Sequence, residues 1–124
     1  MTNHNHYTLY VLQAVELVKQ QIETDPFKHR MCKELLELIT PVNRKILEKA
    51  FKELYGYRIK AYQVKQRLAF SKNYLQEGMP VKRVAAKCYY RSQSAYCTAF
   101  KKEFGLTPTE WIRIIIQRTP PMLN

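Results

Sequence analysis

One stretch of this chain is written twice. Ala50-Phe51-Lys52-Glu53-Leu54-Tyr55-Gly56 reads against Ala99-Phe100-Lys101-Lys102-Glu103-Phe104-Gly105, an offset of 49 residues. Downstream, the same offset carries Tyr62 onto Trp111; upstream, it carries Leu47 onto Tyr96. One turn further back the offset becomes 48, pairing Leu36 with Val84 and Met31 with Met79. The second copy therefore has one more residue in its turn. Each copy reads as a short helix, a tight turn, a longer helix and a glycine stop.

The first copy predicts helices over 33–39 and 43–55, with a turn at Thr40–Val42. The second predicts helices over 81–88 and 92–104, with a turn at Tyr89–Arg91. Asn43 and Ser92 are good N-caps, because their side chains accept from an unpaired N–H of the first turn. Gly56 and Gly105 stand where a helix ends in a left-handed residue. Before the repeat, Val11, Leu12, Val15, Val18 and Ile22 recur at helical spacing and predict an amphipathic first helix, ended by Asp25-Pro26. Between the copies, 59–76 is a continuous helical pattern stopped by Gly78 and Pro80. A last helix starts near Thr107-Pro108, with proline at the first helical position, and closes before Pro120-Pro121.

The expected fold is all-α, with about seven helices and no strand. The chain divides into a tail at 1–8, a first helix-turn-helix subdomain at 9–57, a linker helix at 58–77, a second subdomain at 78–118 and a tail at 119–124. Two helices joined by a turn of three or four residues make a helix-turn-helix. On pattern alone, a plain helical bundle with an internal duplication is the competing reading.

Charge narrows the function. The chain holds 21 Lys+Arg against 10 Asp+Glu, a net of +11. Residues 1–42 carry 4 basic and 5 acidic residues, whereas 43–124 carry 17 and 5, a net of +12. Such an excess points to a polyanion, since each neutralised phosphate releases condensed counterions. A merely solubilising basic surface is the other reading. The first residues, Met1 to His6, are polar and form no signal peptide, and no apolar run approaches spanning length. Three cysteines without a CxxC pair suit a reducing cytoplasm. No P-loop, GxGxxG or Ser/His/Asp grouping is present, so catalysis has no support. No zinc spacing occurs and no cofactor is expected.

The second copy carries more specific letters than its period requires. Met79-Pro80-Val81-Lys82-Arg83-Val84-Ala85-Ala86-Lys87-Cys88, followed by Ser92 through Trp111, resembles the second helix-turn-helix of AraC/XylS regulators. The matching elements are Ser92-x-Ser94, Ala99-Phe100-Lys101, Phe104-Gly105, and Thr107-Pro108-x-Glu110-Trp111. The first copy matches more loosely through Leu47, Phe51-Lys52, Gly56 and Tyr62, and Arg67 falls where the family's linker helix usually has arginine. The resemblance spans about residues 10–113. It implies a bacterial, homeodomain-like, bipartite DNA-binding domain, cytoplasmic and on the nucleoid when bound. Two recognition helices would enter adjacent major grooves of double-stranded DNA, so a monomer could bind a bipartite site without dimerising. Many family members also carry an effector or dimerisation domain, which this chain lacks. The chain then reads either as a stand-alone regulator or as a piece of a larger one.

With Leu47 and Phe51 inward, Arg44, Lys45, Glu48 and Lys49 point outward and match the family's DNA-facing positions. Lys45 and Lys49 suit guanine O6/N7, and Glu48 suits cytosine N4. In the second copy, Gln93, Ser94, Cys97 and Thr98 point outward. Gln93 suits adenine, but with no arginine this face should read bases more weakly. Lys52, Arg91, Lys101 and Lys102 are placed for phosphates. The family commonly has glycine in each helix-turn-helix turn, where this chain has Pro41 and Tyr89. A positive φ is impossible for proline and costly for tyrosine, so those turns should take another conformation unless the alignment slips by a residue.

Cys97 would lie on the DNA-facing side beside basic residues that lower its pKa, so its oxidation or alkylation would block binding. An incidental small residue is the plainer reading. Cys88 is expected in the core and Cys32 near the start of the second helix. His4 and His6 sit in the tail, and His29 stands alone. Tyr55, Tyr62, Tyr74, Tyr90 and Tyr96 fall mostly at core periods. The last helix adds Ile112, Ile115 and Ile116 beside Trp111, more apolar surface than a short terminal helix needs. It is expected either to pack on the first helix or to face RNA polymerase or a missing domain. The alternative function is a protein-interaction module of the same fold that binds no specific DNA.

Overall fold

The computed structural model describes residues 7–39 and 41–118. His4, His6, Thr40 and Pro120-Pro121 lie outside them. The described residues form seven α-helices and no strand: α1 (Leu9–Thr24), α2 (Cys32–Ile39), α3 (Arg44–Tyr55), α4 (Ile59–Gln76), α5 (Val81–Lys87), α6 (Gln93–Phe104) and α7 (Pro108–Arg118). The expected all-α class holds, and helix ends fall within a residue or two of the sequence reading. No helix among the described residues is long and apolar enough to cross a membrane.

Local chemistry sets the ends. Asn43 Oδ1 accepts from the amides of Lys45 (2.8 Å) and Ile46 (3.4 Å), and Ser92 Oγ accepts from Ala95 N (3.0 Å). These bonds satisfy amides that have no partner inside the helix. Gly56 and Gly105 close the longer helices of the two copies with φ of +82° and +81°. Tyr7 and Thr8, read from sequence as tail, are anchored. Tyr7 donates its hydroxyl to Glu53, and Thr8 Oγ1 accepts from Val11 N at 3.2 Å. The sequence reading treated the polar start as one piece, whereas Thr8 is the N-cap that α1 requires.

The chain folds as two compact units that meet in sequence within α4, the first ending at Arg67 and the second beginning at Leu68. In the first unit α1 packs on α2 and α3. Its core joins Val15, Val18 and Ile22 of α1 to Leu35 and Leu36 of α2, Leu47 and Phe51 of α3, and Ile59 and Tyr62 of α4. In the second unit α6 packs on α5 and α7. There Tyr96 and Phe100 are fully buried with Val84, and Phe100 makes edge-on contacts with Tyr96, Phe104 and Trp111. Edge-to-face pairs of this kind add to the stabilisation that burial alone gives. Tyr96 donates its hydroxyl to Ser71 Oγ (2.7 Å), and Ser71 donates in turn to the Leu68 carbonyl (2.6 Å). A fully buried phenol is thereby satisfied.

The repeat survives in three dimensions. Leu47 and Tyr96, Phe51 and Phe100, and Leu36 and Val84 are all buried counterparts.

Candidate nucleic-acid interface

Each copy buries one face of its longer helix and leaves the other to solvent. On α3, Leu47, Ala50 and Phe51 are buried, while Arg44, Lys45, Lys49 and Lys52 are exposed. Lys45, Lys49 and Lys52 follow one another at spacings of four and three, so they form one stripe of ammonium groups along the helix. On α6, Tyr96 and Phe100 are buried, while Gln93, Ser94, Thr98, Lys101 and Lys102 are exposed, and Arg91 is exposed in the turn before them. Under the offset of 49, Lys45, Lys49 and Lys52 fall on Ser94, Thr98 and Lys101. The two faces thus share one geometry with different chemistry, cationic in the first and mainly neutral and hydrogen-bonding in the second.

Two of the outward residues also have partners within the protein. Glu48 is half-buried, and its Oε1 accepts from the backbone amide of Ile59 at 3.2 Å. Arg44 stays exposed, with its Nη2 3.7 Å from Cys32 Sγ. Cys32 is the first residue of α2 and is buried.

Cys97 corrects an expectation. It is half-buried, and burial pushes its thiol pKa up. Withdrawing a thiol from water disfavours the thiolate, the reactive form, so the basic neighbours do not activate it. Cys88 is buried, as its apolar helix position implied.

The second turn is a further correction. Tyr89 takes φ +66°, the one positive value found for a non-glycine among the described residues. Tyrosine therefore adopts the left-handed state that glycine adopts without strain, and no other conformation is substituted. The hydrogen bonds from Tyr89 N to Ala86 O and from Tyr90 N to Ala85 O, each 3.0 Å, hold the backbone there. Pro41 is exposed and is not among the positive-φ residues.

The sequence reading picked out Arg67, Tyr55 and Tyr62 but not their partners, which lie within the first unit. Arg67 is buried, with Nε donating to Pro26 O (2.7 Å) and Nη2 to the carbonyls of His29 and Arg30. Gln63 Nε2 adds a bond to His29 O at 2.8 Å. Together they fasten the α1–α2 connection onto α4. Tyrosine hydroxyls from α3 and α4 donate to carboxylates of α1, Tyr55 to Glu16 (2.7 Å) and Tyr62 to Glu23. Lys19 bridges Glu23 at 2.9 Å. Burial, and then the Glu16 and Glu23 bonds, raise the Tyr55 and Tyr62 pKa values; the Tyr62 bond, and then Lys19, lower that of Glu23. Glu16 and Glu23 stand seven residues apart, as do Tyr55 and Tyr62, but that these pairs meet depends on how the helices pack.

The second unit also has an apolar cleft of about 620 Å³, bounded by Leu75, Met79, Val81, Trp111, Ile112 and Ile115. Ile116, at its edge, is 67% exposed. No group of His, Cys, Asp and Glu among the described residues is arranged to hold a metal ion.

Residues 39–114 match the model of a helix-turn-helix domain family. Among solved structures, the chain is similar to a probable AraC family transcriptional regulator from Rhodopseudomonas palustris CGA009. Identity is 25% over 82% of this chain and 96% of that one, and the TM-score is 0.70. It also shares the fold of the xylose-binding transcription activator xylR at a TM-score of 0.64 and 23% identity, covering 87% of this chain. The chain spans 27% of that activator's length. No curated protein sequence matches it. The match runs from the end of α2 through most of α7, taking in both longer helices and the left-handed glycine after each, and the chain belongs to the AraC-type helix-turn-helix family.

Proposed function

We propose that this chain is a transcriptional regulator that binds double-stranded DNA by sequence. The observation that carries the proposal is the duplicated helix-turn-helix, with an exposed cationic or hydrogen-bonding face on the longer helix of each copy. In this reading α3 and α6 are recognition helices that enter adjacent major grooves, so a monomer serves a bipartite site. Arg44, Lys45 and Lys49 read bases in one half-site; Gln93, Ser94 and Thr98 read them in the other, with Cys97 beside them. Lys52, Arg91, Lys101 and Lys102 bind phosphates and fix the register. The family membership supports this reading.

A second reading draws on the apolar cleft at α7. It makes the chain an interaction module whose cleft meets RNA polymerase or a regulatory domain, with the basic face serving solubility. Selection from random duplexes, followed by affinity at several salt concentrations, separates the two. Two enriched blocks about one helical turn apart, with a steep salt slope, support the DNA reading. Weak binding with no enriched sequence overturns it in favour of the module.

A further inference from the structure

The two copies start their following helices in different ways, and the difference falls on Glu48. Under the offset of 49, Glu48 corresponds to Cys97 and Ile59 corresponds to Pro108. In the second copy, α7 begins at Pro108, which has no amide proton to satisfy. A reciprocal box then caps that helix: Glu110 N donates to Thr107 Oγ1 (3.2 Å), and Thr107 N donates to Glu110 Oε1 (2.9 Å). In the first copy the positions of that box are Arg58 and Ala61, and neither side chain offers an oxygen. Here α4 begins at Ile59, whose N–H does need an acceptor, and Ile59 is fully buried, so solvent cannot readily supply one. Glu48 Oε1 supplies it at 3.2 Å from the middle of α3. A carboxylate at a helix N-terminus also meets the positive end of the helix dipole.

We propose that Glu48 is a positioning residue, a long-range cap that fixes the recognition helix α3 to the start of α4, and not a reader of bases. The part of this that concerns specificity rests on the DNA-binding reading above. Base reading in the first half-site then belongs to Arg44, Lys45 and Lys49. Pro108 has no amide proton, so the second copy needs no carboxylate at the position of Cys97.

Glutamine separates the two roles. It keeps an oxygen for Ile59, yet against DNA it pairs with adenine where glutamate pairs with cytosine. Duplex selection on the wild type, Glu48→Gln and Glu48→Ala is therefore combined with amide hydrogen exchange at Ile59 in the free proteins. Glu48→Gln is expected to select the wild-type site and to keep Ile59 protected. Glu48→Ala is expected to lose roughly tenfold of that protection, and a similar factor of selectivity in the first block only. Adenine replacing cytosine at one position in the Glu48→Gln site overturns the proposal. So does equal Ile59 protection in the wild type and Glu48→Ala. If the wild type enriches no sequence, the DNA reading fails by itself, and the exchange data still decide whether Glu48 is the cap.

Discussion

The carbonyls of Pro26, His29 and Arg30 turn toward one guanidinium, that of Arg67. Arginine suits this place because its planar fork presents several donors in fixed directions and stays charged at all accessible pH. Replacing it by methionine keeps much of the stem and removes every donor. Arg67→Met is expected to cost about 2–4 kcal/mol, read as a lower urea midpoint with an unchanged slope. Arg67→Lys should recover only part of that, and a loss below about 1 kcal/mol for the methionine variant would show the clasp to be dispensable. The tyrosine–carboxylate pairs set a pH dependence. Glu23 is held below its ordinary 4.5 by the Tyr62 bond first and Lys19 second, so it contributes stability that is present above pH 4.5 and lost as pH falls through its folded value. Tyr62 is raised above its ordinary 10.0 by burial first and the Glu23 bond second, so its contribution is present below pH 10 and lost as pH rises. Thermal melts across pH should therefore decline on both flanks. Glu23→Gln should flatten the acid flank, leaving the part due to Glu110, which its Thr107 bonds also hold low. An acid flank as steep in Glu23→Gln as in the wild type would assign the effect elsewhere.

At the scale of elements, two left-handed positions follow helices of the second copy with unequal strain. Gly105 has φ +81°, and an added Cβ there would meet nothing within 4 Å. The cost of Gly105→Ala is therefore conformational alone, about 1–2 kcal/mol. Tyr89 carries a side chain in the same backbone region, at φ +66°. Tyr89→Asn, which tolerates that region, is expected to match or exceed the wild type in melting temperature. Tyr89→Val, branched at Cβ, is expected to fall by about 1–2 kcal/mol. Equal stability of the two variants would mean that the turn relaxes out of the left-handed state. Helix α4 makes a related point, because its residues serve two cores in succession. Ile59, Tyr62, Gln63 and Arg67 are buried in the first unit, and Leu68, Ser71 and Leu75 in the second.

For the whole molecule, electrostatics dominates. The excess of positive charge lies in 43–124, the part of the chain that holds the longer helix of each copy. On the proposed function, affinity for a selected duplex falls steeply with salt. Lys52→Ala should weaken all sequences alike and reduce the slope of log K against log salt by about one. Lys49→Ala should instead relax selectivity at one position of the first block, at a cost of about 1–3 kcal/mol on the preferred site. Anisotropy titrations on the selected duplex and a scrambled one check both, and interchangeable behaviour of the two variants would remove the division between reading and anchoring.

By itself, the sequence determined the helices, their caps and the duplication, because periodicity, N-cap oxygens and left-handed glycines act within a few residues of where they are written. Asn43, Ser92, Gly56 and Gly105 stand where local chemistry puts them. Only the tertiary structure decided which outward-facing groups are free. Glu48 looks like its neighbours on a helical wheel, and only the approach of Ile59 gives its carboxylate a partner inside the protein. Burial likewise decided Cys97, whose neighbours in sequence suggested a reactive thiol and whose surroundings in space hold it protonated. The physical reason is range. Helix propensity and capping are local, whereas desolvation and long-range hydrogen bonds depend on what packing brings alongside.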